Sequence, residues 1–285
     1  MNKQEAISIL KEHKQEHVIK RLEALGDDAA KKLISQVAMI DWKVVESIKD
    51  KAEDKGDAKK IEPLAAVEIN DIKKNKEKYT AKGVEAIKNG KVAAVLLAGG
   101  QGTRLGLDKP KGTLNVGVNK DLFLFGQLIH NLMDVVNQTG AWVPLYIMTS
   151  DKNNKDTVEF FEEHNYFGYD KDYVKFFIQS MVPSVDYNGK LYMESTDSLA
   201  MSPNGNGGWF LSLIAAGLDK DMQHKGIEYV NVFAVDNILQ RIADPAFIGA
   251  TILAGAECGS KVVRKCEPAE KVGVMCRVNG HPSII

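Results

Sequence analysis

The chain has 285 residues, 44% hydrophobic and 26% charged, with 37 basic residues against 38 acidic ones and a formal net charge of −1. That length allows one large or two modest domains, and the composition is that of a soluble globular protein. The charge balance excludes an electrostatic argument for a nucleic-acid or membrane partner. Three widely spaced cysteines, Cys258, Cys266 and Cys276, give neither a C-x-x-C pair nor a disulfide framework, which points to a reducing, cytoplasmic setting. The first residues are charged with no apolar signal core, and no apolar run is long enough to span a bilayer.

Residues 1 to about 90 read as a helical arm. Ile7, Ile9, Leu10, Val18, Ile19, Leu22 and Leu25 recur at helical spacing, and Gly26 gives a stop signal. A second periodic stretch holds Leu33, Val37, Ile40, Trp42 and Val45. The segment 48–60 is nearly all charged and reads as a solvated linker or helix face. From residue 91 the texture changes. Short apolar runs at 92–99, 144–149, 174–179 and 229–236 read as buried strands, with helical stretches at 122–136 and 154–164 between them. Alternation of this kind predicts an α/β domain over 91–285, a mostly parallel sheet flanked by helices. Ligands bind such sheets beyond the carboxyl ends of the strands, so chemistry is expected after Gly99, Thr149, Gln179 and Val235.

The first of these loops reads LLAGGQGTRLGLDKPKG (96–112). Counted from Gly100, its glycines run G-x-G-x-x-x-G, one residue longer than the dinucleotide fingerprint, and no glycine precedes the Lys-Ser/Thr pair of a P-loop. Gly99, Gly100 and Gly102 let bare backbone approach an anion closely. Arg104 adds a permanently charged donor fork, and Lys109 and Lys111 add point charges on either side of Pro110. Strand, glycines and cations in that order suit a polyphosphate. A tight turn with solvated charges is the plainer alternative, and the strand and paired cations weigh against it.

G-G-x-G-T-R-L-G followed by P-K-G resembles the signature of the eukaryotic-type UDP-sugar pyrophosphorylases, most closely the branch that makes UDP-N-acetylglucosamine. The likeness extends through YIMTS (146–150), EFFEEHNYFG (159–168), GNGG (205–208), VDNIL (235–239), ADPAFIG (243–249), CGSKVV (258–263) and VGVMCRVNG (272–280). It implies a Rossmann-like nucleotide-diphospho-sugar transferase fold with an N-terminal helical arm. The implied reaction joins UTP and N-acetylglucosamine 1-phosphate into UDP-N-acetylglucosamine and pyrophosphate. By the same resemblance, Arg104 and Lys111 stabilise transition-state and leaving-group charge. Gly99, Gly100, Gly102 and Thr103 wrap the nucleotide, Gly205 and Asn206 contact substrate, and Asp236 with Asn237 serves the ribose or a Mg²⁺ (or Mn²⁺) ion. Asp236 closes an apolar strand, where a carboxylate can hold a hard cation. Lys109 reads as solvated, Trp209 as core, and the D-x-D pairs Asp170/Asp172 and Asp219/Asp221 as solvated charges.

One position departs from the family pattern. Ile178 stands where the family carries a uracil-contacting glutamine, so either Gln179 substitutes or uracil selection is weaker. The family's members are longer, and their later sugar contacts and C-terminal β-domain have no counterpart before Ile285. The resemblance therefore implies a truncated, monomeric chain that binds UTP but turns over poorly. A glucose- or galactose-1-phosphate enzyme and a UTP-binding module without turnover remain open readings. A nicotinamide oxidoreductase fits badly, because the strand ending at Thr149 carries no acidic ribose partner.

Overall fold

Val92–Leu97 contains no polar residue, so a strand built from it is stable only if both of its faces are covered. The computed structural model describes residues 1–53, 60–102, 106 and 108–285, and in it all of this strand is buried. The chain opens with helices α1 (Lys3–Glu12), α2 (Glu16–Ala24), α3 (Asp27–Ala38) and α4 (Trp42–Glu53). A short strand β1 (Ile61–Pro63) and helices α5 (Ile69–Lys74) and α6 (Lys76–Lys88) lead into β2 (Val92–Leu97). There follow α7 (Leu124–Thr139), β3 (Leu145–Thr149), α8 (Asn154–Glu163), β4 (Val174–Ile178), β5 (Met181–Pro183) and β6 (Met201–Pro203). The remainder is α9 (Trp209–Ala215), α10 (Leu218–His224), β7 (Tyr229–Ala234), α11 (Pro245–Leu253), β8 (Met275–Val278) and β9 (His281–Ile284). Part of the charged segment 48–60 lies outside the described residues.

Two compact units are present. The first comprises Ala65–Ser180 and Gly205–Val272. Its parallel sheet has the order β4-β3-β2-β7, the four strands expected from the apolar runs. Ala94, Leu96 and Ala98 face Phe125, Leu128 and Leu132 of α7 and Phe161 of α8, while Ala93, Val95 and Leu97 face Leu213 of α9 and Met222 of α10. The sheet is thus sandwiched between helix layers.

Helices α6 and α11 cross at backbone contact. A Cβ on Gly83 would lie 1.9 Å from the Pro245 carbonyl oxygen, and one on Gly249 would lie 1.8 Å from that of Tyr79. Another local feature follows α8. Asn165, Tyr166 and Phe167 all have positive φ (47°, 51° and 55°), an arrangement costing about 1–3 kcal/mol per residue in isolation. It is held by packing: Phe167 presses on Gly126 and meets Phe161 edge-on at 5.6 Å. Tyr169 then anchors the entry to β4 by donating from its hydroxyl to the Val143 carbonyl at 2.6 Å.

The second unit comprises Met1–Leu64, Met181–Asn204 and Gly273–Ile285. Its core joins Leu10, Leu22, Leu33 and Val37 of the arm to Leu191 and Leu199. Buried Gln15 ties the two segments by donating to the Gly189 carbonyl at 2.8 Å and accepting the Leu191 N–H at 3.0 Å. β1, inside the stretch expected to be helical, pairs antiparallel with β8, which pairs with β9. α5 and α6 precede residue 90 yet belong to the unit of the parallel sheet, where the glycine crossing with α11 holds α6.

Candidate active site

Gly99, Gly100, Gln179, Asp236 and Asn237 follow the carboxyl ends of parallel strands. β2 ends at Leu97, and Ala98 still donates its N–H to the Met148 carbonyl at 2.8 Å. Gly99 follows against the Gln179 side chain; a Cβ there would lie 2.7 Å from Gln179 Oε1. Gly100 is exposed, with open space on its Cβ side. Gln101 bridges Pro110 in antiparallel fashion, and the Gly102 N–H donates to the Lys109 carbonyl at 3.2 Å, closing the loop upon itself. Thr103 and Arg104 lie outside the described residues. Lys109 is exposed, in keeping with its reading as a solvated lysine.

Lys111 opens a 3₁₀ turn, Lys111–Thr113. The next residue, Gly112, lies under the Phe125 ring, where a Cβ would come within 2.2 Å. That packing fixes the backbone from which Lys111 projects. Its Nζ donates to Asp236 Oδ1, joining residues 125 positions apart in sequence. Asp236 lies just past the end of β7 and is exposed, as is Asn237, whose N–H donates to the Ala234 carbonyl at 3.4 Å.

Strand alternation settles which residue of β4 faces the glycine loop. Phe177 points to the same face as Leu97, so Gln179, two residues on, points there too. It is 5% exposed and lies beside Gly99, whereas Ile178 is 42% exposed and lines a groove with Asn154, Phe177 and Ser212. Gln179 is thus the residue of this pair placed against Gly99.

Gly205 and Asn206 precede α9. That helix is tied to the end of β4 through Ser212, whose Oγ accepts the Ser180 N–H and donates to the Gly208 carbonyl, both at 2.9 Å. Trp209 packs against the core as expected. A residue the sequence did not single out, Asn153, is wholly buried between the β3 and β2 ends.

The reading of the D-x-D pairs as solvated charges fails at Asp221, which is part-buried and fully engaged in hydrogen bonds. Its carboxylate accepts from Tyr146 Oη at 2.6 Å, Lys175 Nζ at 2.7 Å and Lys225 Nζ at 2.6 Å, binding α10 to β3 and β4. Desolvation pushes its pKa up, but the hydrogen bonds from Lys175, Lys225 and Tyr146 outweigh it and hold the carboxyl well below the usual range. A depressed folded-state pKa stabilises the fold above the unfolded value near 4 and loses that contribution as pH falls toward the folded value. Asp221→Asn should therefore lower Tm by about 2–6 °C at pH 7, with the gap to wild type closing below about pH 4. Thermal melts from pH 7 to 2.5 check this, and a gap independent of pH would refute the assignment.

Among the described residues no group of three or more His, Cys, Asp or Glu side chains is placed to hold a metal ion. No helix among them is long and apolar enough to cross a membrane.

Known proteins share this sequence and fold. The chain is 44% identical over 214 residues to the UDP-N-acetylhexosamine pyrophosphorylase-like protein 1 of Mus musculus, covering 73% of this chain and 42% of that protein. It is 41% identical over 221 residues to the UDP-N-acetylglucosamine pyrophosphorylase of Saccharomyces cerevisiae, covering 76% and 46% respectively. The crystal structure of the Trypanosoma brucei uridine diphosphate N-acetylglucosamine pyrophosphorylase in complex with an inhibitor matches with a TM-score of 0.84 at 30% identity, over 100% of this chain and 61% of that one. The matched part of the chain thus covers less than half the length of the mouse and yeast relatives. Residues 14–285 match the family described as UTP–glucose-1-phosphate uridylyltransferase, and the chain belongs to that family.

Proposed function

We propose that this chain carries the nucleotide site of a uridylyltransferase that joins UTP and N-acetylglucosamine 1-phosphate. In that reaction a phosphate oxygen of the sugar phosphate attacks the α-phosphorus of UTP, the bond to the β-phosphate breaks, and pyrophosphate leaves. Such chemistry needs no covalent nucleophile from the protein, only positioned reactants and charge stabilisation. The observation that carries the reading is the meeting of Lys111 and Asp236 beside the glycine loop. Lys111 offers the triphosphate a cation, with Arg104 as its partner from the loop, and Thr103, Gly99, Gly100 and Gly102 supply close backbone. Gln179 reads the uracil, while Gly205 and Asn206 reach the substrate from the start of α9. N-acetylglucosamine 1-phosphate is favoured over glucose 1-phosphate because the mouse and yeast relatives are named for N-acetylated sugars.

Mg²⁺ or Mn²⁺ fits here in company with the nucleotide. Asp236 offers one carboxylate, and Mg²⁺ binds through one or two carboxylates plus phosphate oxygens rather than an all-protein cage. When bound it would shield the charge of the phosphates.

The test is a thermal shift with UTP, CTP and NAD, followed by pyrophosphate release with a panel of sugar 1-phosphates. UTP should raise Tm more than CTP, NAD should not, and Gln179→Ala should weaken UTP binding about tenfold, in line with the loss of a hydrogen bond to a buried base. Ile178→Gln should leave the UTP preference unchanged. Stabilisation by NAD and none by UTP would overturn the proposal.

A further inference from the structure

The hydrogen-bond ladder between β2 and β3 breaks in an informative way. Ala94 N–H donates to the Pro144 carbonyl and Ala98 N–H to the Met148 carbonyl, both at 2.8 Å, as a parallel pair in this register requires. The following rung would run from the Ser150 N–H to the Ala98 carbonyl. Instead an amide side chain occupies it. The Ser150 N–H donates to Asn153 Oδ1 at 2.7 Å, and Asn153 Nδ2 donates to the Ala98 carbonyl at 3.0 Å. The second Nδ2 proton reaches the Gly100 carbonyl at 3.3 Å. Both donors of the amide are used, the side chain is wholly buried, and the flanking charges Asp151, Lys152 and Asp156 are exposed.

We propose that Asn153 is a positioning residue whose amide acts as a spacer in the β2–β3 ladder, holding the two strand ends apart and fixing the glycine backbone where the nucleotide lands. The inserted amide opens the sheet at the carboxyl ends of its strands, where ligands of parallel sheets bind. It also clamps the carbonyls on both sides of Gly99, so the peptides that must meet the phosphates cannot turn. Without the spacer, Ser150 and Ala98 either pair directly and close the gap or remain buried and unpaired. This inference rests on the reading that the loop takes UTP.

The experiment measures UTP affinity by calorimetry at pH 5 and pH 8, well below each variant's melting temperature, for wild type, Asn153→Ala and Asn153→Asp. Asn153→Ala should bind UTP at least tenfold more weakly than wild type at both pH values. An aspartate still accepts the Ser150 N–H but, ionised, has no proton for the two carbonyls; burial against them holds its carboxyl well above the usual range, so at pH 5 it carries a proton and regains one. Asn153→Asp should therefore lose at least tenfold at pH 8 and recover at least threefold of it at pH 5, each relative to wild type at the same pH. This pH contrast is read within one folded protein, and it decides the matter even should Asn153→Ala not fold. Wild-type affinity in either variant, or an Asn153→Asp deficit independent of pH, overturns the inference. Failure of wild type itself to bind UTP would instead overturn the functional reading, and this inference with it.

Discussion

Replacing Lys111 by alanine should cut pyrophosphate release by about 10²–10³-fold, the usual loss for a group that stabilises charge developing in a transition state. Tm should hardly move. The Lys111–Asp236 pair is solvent-accessible, with side chains 31% and 61% exposed, and exposed ion pairs contribute about 0–1 kcal/mol. Rate and stability therefore separate, which distinguishes a catalytic lysine from a structural one. The binding profile supplies an independent check. UTP affinity should fall in Lys111→Ala while uridine affinity stays unchanged, since the lost contact is to phosphate. Lys111→Arg should recover little, because a compact ammonium held by the Gly112–Phe125 packing is replaced by a broad planar fork. Equal turnover in Lys111→Ala and wild type would remove this residue from the mechanism.

The largest effect on stability is expected from Gly249→Ala. Its new methyl group would lie 1.8 Å from the Tyr79 carbonyl oxygen and 2.8 Å from the Gly83 nitrogen, backbone atoms of a helix that cannot rotate out of the way. α6 and α11 must then separate. Overpacking of this kind costs about 1–3 kcal/mol or more, and for a domain of this size each kcal/mol lowers Tm by about 2–4 °C. A loss of about 2–12 °C is expected by calorimetry or circular dichroism. Gly83→Ala should behave similarly, through the Pro245 carbonyl. The double variant should lose less than the sum, because helices already parted by the first methyl have room for the second. Additive losses would mean that the two glycines do not share one crossing.

The parallel strands were legible because each is a short, mostly apolar run, and the central pair, β2 and β3, is buried throughout. The strands of the arm unit were not. β1, β5 and β6 have three residues each and β8 and β9 four, too few for alternation to register. Nor does local pattern show that Leu191 and Leu199 complete a core begun by Leu10 and Leu22. At the site, glycines and cations announced themselves by spacing. Asn153 did not, since it lies in Asp-Lys-Asn-Asn-Lys-Asp, which reads as an ordinary solvated turn. Asp221 looked like a surface charge because Tyr146, Lys175 and Lys225, which partner it, lie mostly far off in the chain. The facing of Gln179 is legible by counting alternate residues from Phe177, which puts it on the side of Gly99.

The pairing of Ile61 with Val278 has a consequence for how the protein is made. Translation is vectorial, and the parallel sheet has all its strands once Ala234 has left the ribosome. β1 emerges well before that and must wait for β8. At about 5–20 residues per second the delay between the two is roughly ten to forty seconds. Over the last part of it, once Ala234 is out, the nascent chain has all four parallel strands while β1 still has no partner strand. The order of assembly is therefore written into the interleaving of segments: the nucleotide unit first, the arm last.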